Sequence, residues 1–239
     1  TEARPGECAL HQISLDLWPG EVLGIAGIDG NGQKHLAELL AGQRPAVSGE
    51  VVLHGEDVTG DRVPERRRRG LRYVTDERLG EGTVAALSVA TNLVLKEIGR
   101  PPLWRHGISL WDRIHAHARS RIAAYDIRTP SERVPVGNLS GGNIQKVLLA
   151  RELDEDASVV IFNKPTYGLD LQNTVMARQR IVEGATRGLA TVVISTELDE
   201  LLEVSDRIAV MSHGRIVGVV TNKAGAEEAV GRLMTGAAA

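Results

Sequence analysis

Between residues 21 and 42 the chain runs through EVLGIAG, IDGNG and QKHLAELLAG. The first stretch is short and continuously apolar, as a strand buried in a parallel sheet requires. In the last, Leu36, Leu39 and Leu40 recur at helical spacing and Gly42 supplies a helix stop. Strand, glycine loop and helix in this order predict an α/β fold with a parallel-sheet core. Further buried strands are expected at SVVIF and TVVIS, and RIAVMSHGRIVGVV reads as an antiparallel hairpin turning at His213 and Gly214. The alternation of Ile13, Leu15 and Leu17 suggests an early strand closed by the turn residues Trp18, Pro19 and Gly20. EVVLHGEDV reads as one more strand with a turn at Gly55. From about Ser88 to Arg151 the pattern is mostly helical, broken by the loop GRPPLWRHG and by the turn-rich RTPSERVPVGNLSGG. The domain expected is therefore a core over about 1–84 and 152–222, a helical subdomain over about 85–151, and a frayed Ala- and Gly-rich tail over 223–239.

The loop itself resembles the phosphate-binding pattern GxxxxGK[ST], in which glycines let backbone N–H groups converge on phosphate oxygens. Gly27, Gly30 and Gly32 fit, but Gln33 stands at the lysine position and Lys34 at the hydroxyl position. One residue on a helix is a rotation of about 100°, which turns Lys34 away from the loop. Three glycines ahead of a helix also make a plain tight turn, so the loop alone does not decide.

Composition excludes several classes. Lys plus Arg number 28 against 31 Asp plus Glu, a formal charge of -3, and aromatics make up 3%. Neither a basic field nor a stacking platform for nucleic acid follows. A single cysteine, Cys8, allows no internal disulfide and suits a reducing compartment. No apolar run approaches the ~20 residues that span a bilayer, and no signal peptide opens the chain, so a membrane role would run through a partner.

NLSGGNIQKVLLAREL followed by SVVIFNKPTYGLD is more specific. With these motifs the whole chain resembles the nucleotide-binding domains of ABC transporters, a P-loop NTPase fold with a parallel-sheet core, an antiparallel β part and a helical subdomain. The resemblance makes Leu139, Ser140, Gly141, Gly142 and Asn143 the signature, set at a helix N-terminus that attracts anions. It makes Gly168, Leu169 and Asp170 the D-loop. In that family two such domains pair head to tail, and the signature of one completes the ATP site of the other. GIDGNGQ, YVTDERLGEGTV, LSVATNLVL and LSGGNIQK resemble the second, C-terminal nucleotide-binding half of importers for simple sugars and nucleosides, in which both halves lie on one polypeptide. The degenerate strand end leans toward the nucleoside branch, and Thr1 would then mark a cut between halves.

The resemblance implies ATP at Gly27, Gly30, Asn31, Gly32, Gln33, Lys34 and His35, and also exposes losses. Where the family has an Asp that acts on magnesium and a Glu that activates water, this chain has Asn163 and Lys164. An ammonium is protonated at neutral pH and cannot be that base, and asparagine brings no charge to hold a divalent ion, which leaves Mg2+ in this site open. The Q-loop glutamine falls on Asp76 and the switch histidine on Thr196. No aromatic precedes Trp18 to stack on adenine. A charge at ~4 Å and an effective dielectric of about 20 counts for about 4 kcal/mol before solvent discounting, so losing the lysine while adding Asp29 and Asp76 disfavours a polyphosphate. Lys164 either compensates near the phosphates or neutralises neighbouring carboxylates.

The expected function is an importer half with a degenerate site of its own, hydrolysis-poor when isolated, and an intact signature serving its partner half. The implied partners are that half, transmembrane permease subunits and, indirectly, an extracytoplasmic solute-binding protein, at the cytoplasmic face of the membrane. The alternatives are a structural dimerisation module that binds no nucleotide and an ABC-type ATPase without a transporter. Arg66 to Arg69 read as a solvated helix face. His115 and His117, two apart, make a poor metal pair, and Trp104 and Trp111 read as packing residues. The permease contact is expected around Asp76 to His106.

Overall fold

The computed structural model describes residues 7–236. The described residues form ten strands and eight α-helices: β1 Val22–Ala26, α1 Gln33–Leu40, β2 Val52–Leu53, β3 Glu56–Asp57, α2 Val63–Arg68, β4 Leu71–Val74, α3 Val89–Leu93, β5 Trp104–Arg105, β6 Ile108–Ser109, α4 Trp111–Ala124, α5 Gly141–Glu152, β7 Val159–Asn163, α6 Leu171–Thr186, β8 Ala190–Ile194, α7 Leu198–Val204, β9 Arg207–Ser212, β10 Arg215–Thr221 and α8 Ala226–Thr235. Six strands form one sheet in the order β10-β9-β1-β8-β7-β4. β1 lies parallel between β8 and β9, with Leu23 opposite Val192 on one side and Arg207 on the other, and β7 runs parallel to β8. β10 folds back antiparallel on β9. Every residue of β1 and β8 is buried, which is why both read as unbroken apolar runs.

The chain separates into two compact units. The first holds the residues up to Tyr73, Asp156–Pro165 and the chain from Arg178 onward, and so carries most of the large sheet. Its core gathers Leu23, Ile25, Leu36, Ile161, Ile194 and Met211. The second, Val74–Glu155 with Thr166–Ala177, carries α3, α4, α5 and the first turns of α6, together with the small β5–β6 hairpin. There Ile114, Val147 and Leu148 are buried.

Several expectations are corrected. Residues 13–17 form no strand: Ile13, Leu15 and Leu17 pack against the first unit's core, but the backbone joins no ladder. Alternation places the side chains without supplying a partner strand. EVVLHGEDV divides into β2 and β3, paired across His54 and Gly55 at positive φ, and GRPPLWRHG, read as loop, contains the start of a hairpin. The tail read as frayed contains α8, which opens at Gly225 and buries Ala226 and Val230.

The arginine run is corrected as well. Arg66 is 1% exposed, whereas Arg68 and Arg69 reach solvent and pair with Glu65, Glu56 and Asp61. Arg66 donates to the carbonyls of Leu39 and Leu40 at 2.8 and 2.7 Å, and to those of Val58, Thr59 and Asp61 at 2.9, 3.2 and 3.0 Å. It therefore ties off the C-terminal carbonyls of α1, groups that a helix leaves unbonded. Its five donors in a fixed fork match that work where lysine would not. Trp104 is buried as expected of a packing residue, but Trp111 is half exposed and instead lies against His115, ring centres 5.8 Å apart.

Candidate functional site

In the first unit β1 delivers the chain into the glycine loop, and α1 begins at Gln33 with Gly32 as its cap at φ 101°. That left-handed value strains any residue with a Cβ. Gly27 is needed for space: a Cβ there would sit 2.5 Å from both the Gln33 amide nitrogen and the Met211 carbonyl. Gln33 is buried, and its Nε2 donates to the Ile28 carbonyl at 2.9 Å, so its side chain turns back into the loop it starts from. Lys34 is exposed on α1. His35 is buried, its Nδ1 3.2 Å from the Cys8 carbonyl, and burial lowers its pKa below the ordinary 6.5. Asn31 ties the loop to the β9–β10 turn, its side chain accepting from the His213 N–H and its carbonyl from the Gly214 N–H, both at 3.0 Å.

The end of β7 meets this loop through charge. Asn163 is buried at the strand's last position, and Lys164 follows at φ 46°, its N–H donating to Ile194 at 2.8 Å. The Lys164 ammonium reaches Asp29 Oδ1 at 2.8 Å, with side-chain exposures of 18% and 74%. Thr196 follows β8 and is exposed. Trp18 is exposed in its turn. The structure thus brings Asp29 and Lys164 together, as expected if Lys164 neutralises a neighbouring carboxylate.

The second unit carries Asp76, the LSGG segment and the GLD segment. α5 starts at Gly141, with Ser140 as its N-cap residue in extended conformation; Ser140 makes no cap bond to the helix amides. Its hydroxyl instead accepts from Asn143 Nδ2 at 2.9 Å, and Asn143 Oδ1 accepts from the Arg128 N–H at 2.8 Å. Ser140 and Gly141 are exposed, so the start of a 12-residue helix, with the dipole's positive end, reaches the surface. Asp170 caps α6, accepting from the Asn173 N–H at 2.9 Å and from its side-chain amide at 2.7 Å, which holds the carboxyl below the usual range. Gly142 is buried against Asn173, whose side chain would overlap any Cβ placed there.

Arg78 was not singled out in the sequence. Its Nε donates to Gln145 Oε1 on α5 at 3.0 Å, and its Nη2 donates to the Tyr167 carbonyl just before the GLD segment. Asn173 and Gln145 were missed as well. No local pattern marks them, because each acts across a distance in the chain.

A glycine loop that opens a helix off a buried parallel strand, with an LSGG-capped helix carried on a second unit, defines a P-loop ATP-binding cassette. Residues 10–167 match the ABC transporter family, and the chain belongs to it. It is 37% identical over 231 residues to a nucleoside import ATP-binding protein of Lactococcus lactis, covering 97% of this chain and 46% of that protein. With a ribose import ATP-binding protein of Burkholderia pseudomallei it shares 42% over 226 residues, covering 93% and 43%. The chain therefore spans about half the length of the curated relatives it matches. A nucleotide-free ATP-binding cassette from an ABC transporter superposes with a TM-score of 0.80 at 21% identity, over 96% of this chain and 91% of that one. A dimeric cassette in a post-hydrolysis state with ADP and Pi gives 0.76 at 20% identity, over 90% of each. These likenesses show the fold. Among the described residues no helix is long and apolar enough to cross a membrane.

Proposed function

We propose that this chain is the second nucleotide-binding half of an ATP-driven importer for sugars or nucleosides, that its own ATP site is degenerate, and that its signature completes the ATP site of the other half. Relatives named for nucleoside and ribose import, each about twice as long as the chain, support the importer and the two-half polypeptide. The partners are then the other half, permease subunits that hold the chain at the cytoplasmic face, and a solute-binding protein beyond them. The exposed apolar residues Leu79, Val84 and Leu87 of the second unit support a permease contact in the Asp76–His106 region.

The observation that carries the reading is the contrast between the two helix starts. At α1, Gln33 brings no cation and bonds to its own loop, while Lys164 is engaged by Asp29. A nucleotide there would be held by the loop's N–H groups and by a Lys164 released from that pair. A neutral Asn163 beside a cationic Lys164 does not fit a divalent metal ion, and no residue at the end of β7 can take a proton from water. At α5 the amides and the Ser140 hydroxyl are presented outward, free of a cap bond. Phosphoryl transfer depends mostly on positioning and electrostatics, so such a helix start aids hydrolysis of a nucleotide bound elsewhere.

Ser140→Arg in the full-length importer tests this. The bulky side chain blocks the helix start, and ATP hydrolysis and transport are expected to be lost together; retained hydrolysis and transport would overturn the proposal. The alternative of a purely structural module draws support from the Lys164–Asp29 pair, and it predicts instead that Ser140→Arg is harmless.

A further inference from the structure

The segment after Asp76 is built rigidly for a loop. The Thr75 hydroxyl bonds Glu81 at 2.8 Å, the Gly82 N–H donates to the Glu77 carbonyl at 2.9 Å, and the Thr83 hydroxyl donates to the Arg78 carbonyl at 2.7 Å. This framework aims one long side chain. The Arg78 guanidinium bonds Gln145 on α5 through Nε and the carbonyl of Tyr167 through Nη2. Its remaining nitrogen, Nη1, lies 3.7 Å from where a Cβ on Gly141 would be. Gln145 is itself 1% exposed, so one arm of the fork is anchored in the interior, while the arm to Tyr167 lies at the surface. Asp76 adds a neighbouring negative charge that favours the charged guanidinium, against the effect of burial.

We propose that Arg78 is a positioning residue for the signature: its fork joins the start of α5 to Tyr167, so that the Ser140 end and the GLD segment meet the other half's nucleotide as one body, with a fixed positive charge beside Gly141. A second tie runs in parallel, from Asp170 through Asn173 to Gly142, but it carries no charge to the helix start. A planar fork that makes two bonds in fixed directions is what arginine supplies and lysine does not. The inference rests on the proposed role of the signature in the other half's site.

The test compares Arg78→Ala, Arg78→Lys, Gln145→Leu and Ser140→Arg in the full-length protein with its permease, reading kcat and KM for ATP hydrolysis. Misplacing reacting groups by about 1 Å costs up to about a hundredfold, so Arg78→Ala is expected to lower kcat by roughly tenfold to a hundredfold with KM little changed. Arg78→Lys keeps the charge and loses the fork, and is expected to fall between wild type and alanine. Gln145→Leu removes only the Nε partner and lowers kcat without moving KM, which keeps the test open if Arg78→Ala fails to fold. Wild-type kcat in Arg78→Lys and Gln145→Leu overturns the inference, as does a change confined to KM. If Ser140→Arg is inactive while the Arg78 and Gln145 variants are normal, only this inference falls. If Ser140→Arg is active, the signature reading falls with it.

Discussion

The helix that leaves the glycine loop and the helix that leaves LSGG both begin without a side-chain cap, yet their surroundings differ in kind. Around α1 the polar side chains close on one another: Gln33 on Ile28, Lys164 on Asp29, Asn31 on the β9–β10 turn. Around α5 they hold the helix from behind, with Arg78 bonded to Gln145 and Asn173 packed on Gly142, and leave Ser140 and Gly141 exposed at its start. The backbone for handling phosphate is present in both places. What separates them is a handful of side chains, which teaches that one helix-start backbone can be set in two different polar surroundings.

The comparison is sharpened most by a change beneath the glycine loop. Arg66→Met removes a donor from five carbonyls, of which those of Leu39 and Val58 keep a backbone N–H; the other three, of Leu40, Thr59 and Asp61, are left unmet at about 1–3 kcal/mol each, so a loss of at least about 3 kcal/mol is expected. It should appear as lost hydrogen-exchange protection in α1. Unchanged protection would mean that the loop's helix no longer depends on its scaffold.

Gly142→Ala comes next. Its Cβ overlaps the Asn173 side chain, which must leave Asp170, and overpacking of this kind costs about 1–3 kcal/mol. The partner half's hydrolysis should fall and the start of α6 should exchange faster. Adding Asn173→Ala makes room and should recover part of the stability, a coupling that a double-mutant cycle measures. Additive losses would break the claim that the two segments are tied.

These ties also mark the limit of what the sequence displays. The buried runs of β1, β7 and β8, the glycine loop and the β9–β10 turn are legible because periodicity and turn chemistry are local. LSGG and GLD are legible as motifs. Arg66 is not, since nothing in ERRRRG tells one arginine from the next until α1 and the β3–α2 turn close around it. Residues 13–17 mislead for the same reason: alternation reports burial on one side, whereas a strand needs a neighbour. α8 hides in an Ala- and Gly-rich stretch whose two buried residues, Ala226 and Val230, are spaced one helical turn apart. The Asp29–Lys164 pair joins residues 135 apart in the chain, and Arg78 meets Tyr167 across 89.

A smaller effect is expected at Lys164. An ion pair with one largely exposed partner contributes about 0.2–1 kcal/mol, so Lys164→Ala should leave stability nearly unchanged. ATP affinity is the informative readout. Asp29→Asn removes a carboxylate from the loop and frees the ammonium, and should tighten binding at the weaker site; Lys164→Ala should loosen it. Calorimetric titration of the full-length protein separates the two. Affinity indifferent to both changes would mean that this loop takes no part in nucleotide binding, and the contrast with α5 would become complete.

The smallest effect is a pH dependence seated at His35. Burial lowers its pKa, with Arg44 adding to the shift and Glu7 and the Cys8 carbonyl opposing it. A histidine whose folded pKa lies below its unfolded value takes up a proton more readily when unfolded, so stability falls as pH drops through 6.5 toward the folded value. The slope from one group cannot exceed about 1.4 kcal/mol per pH unit. Hydrogen exchange in α1 at pH 7.5 and 5.5 should show protection lost at the lower pH in the wild-type protein and a flatter response in His35→Gln. His117 on α4 also has its pKa lowered by burial, so the second unit carries an acid response of its own, which His35→Gln should leave unchanged at α5. A flattening at α5 equal to that at α1 in His35→Gln would show that the two helix starts share one stability.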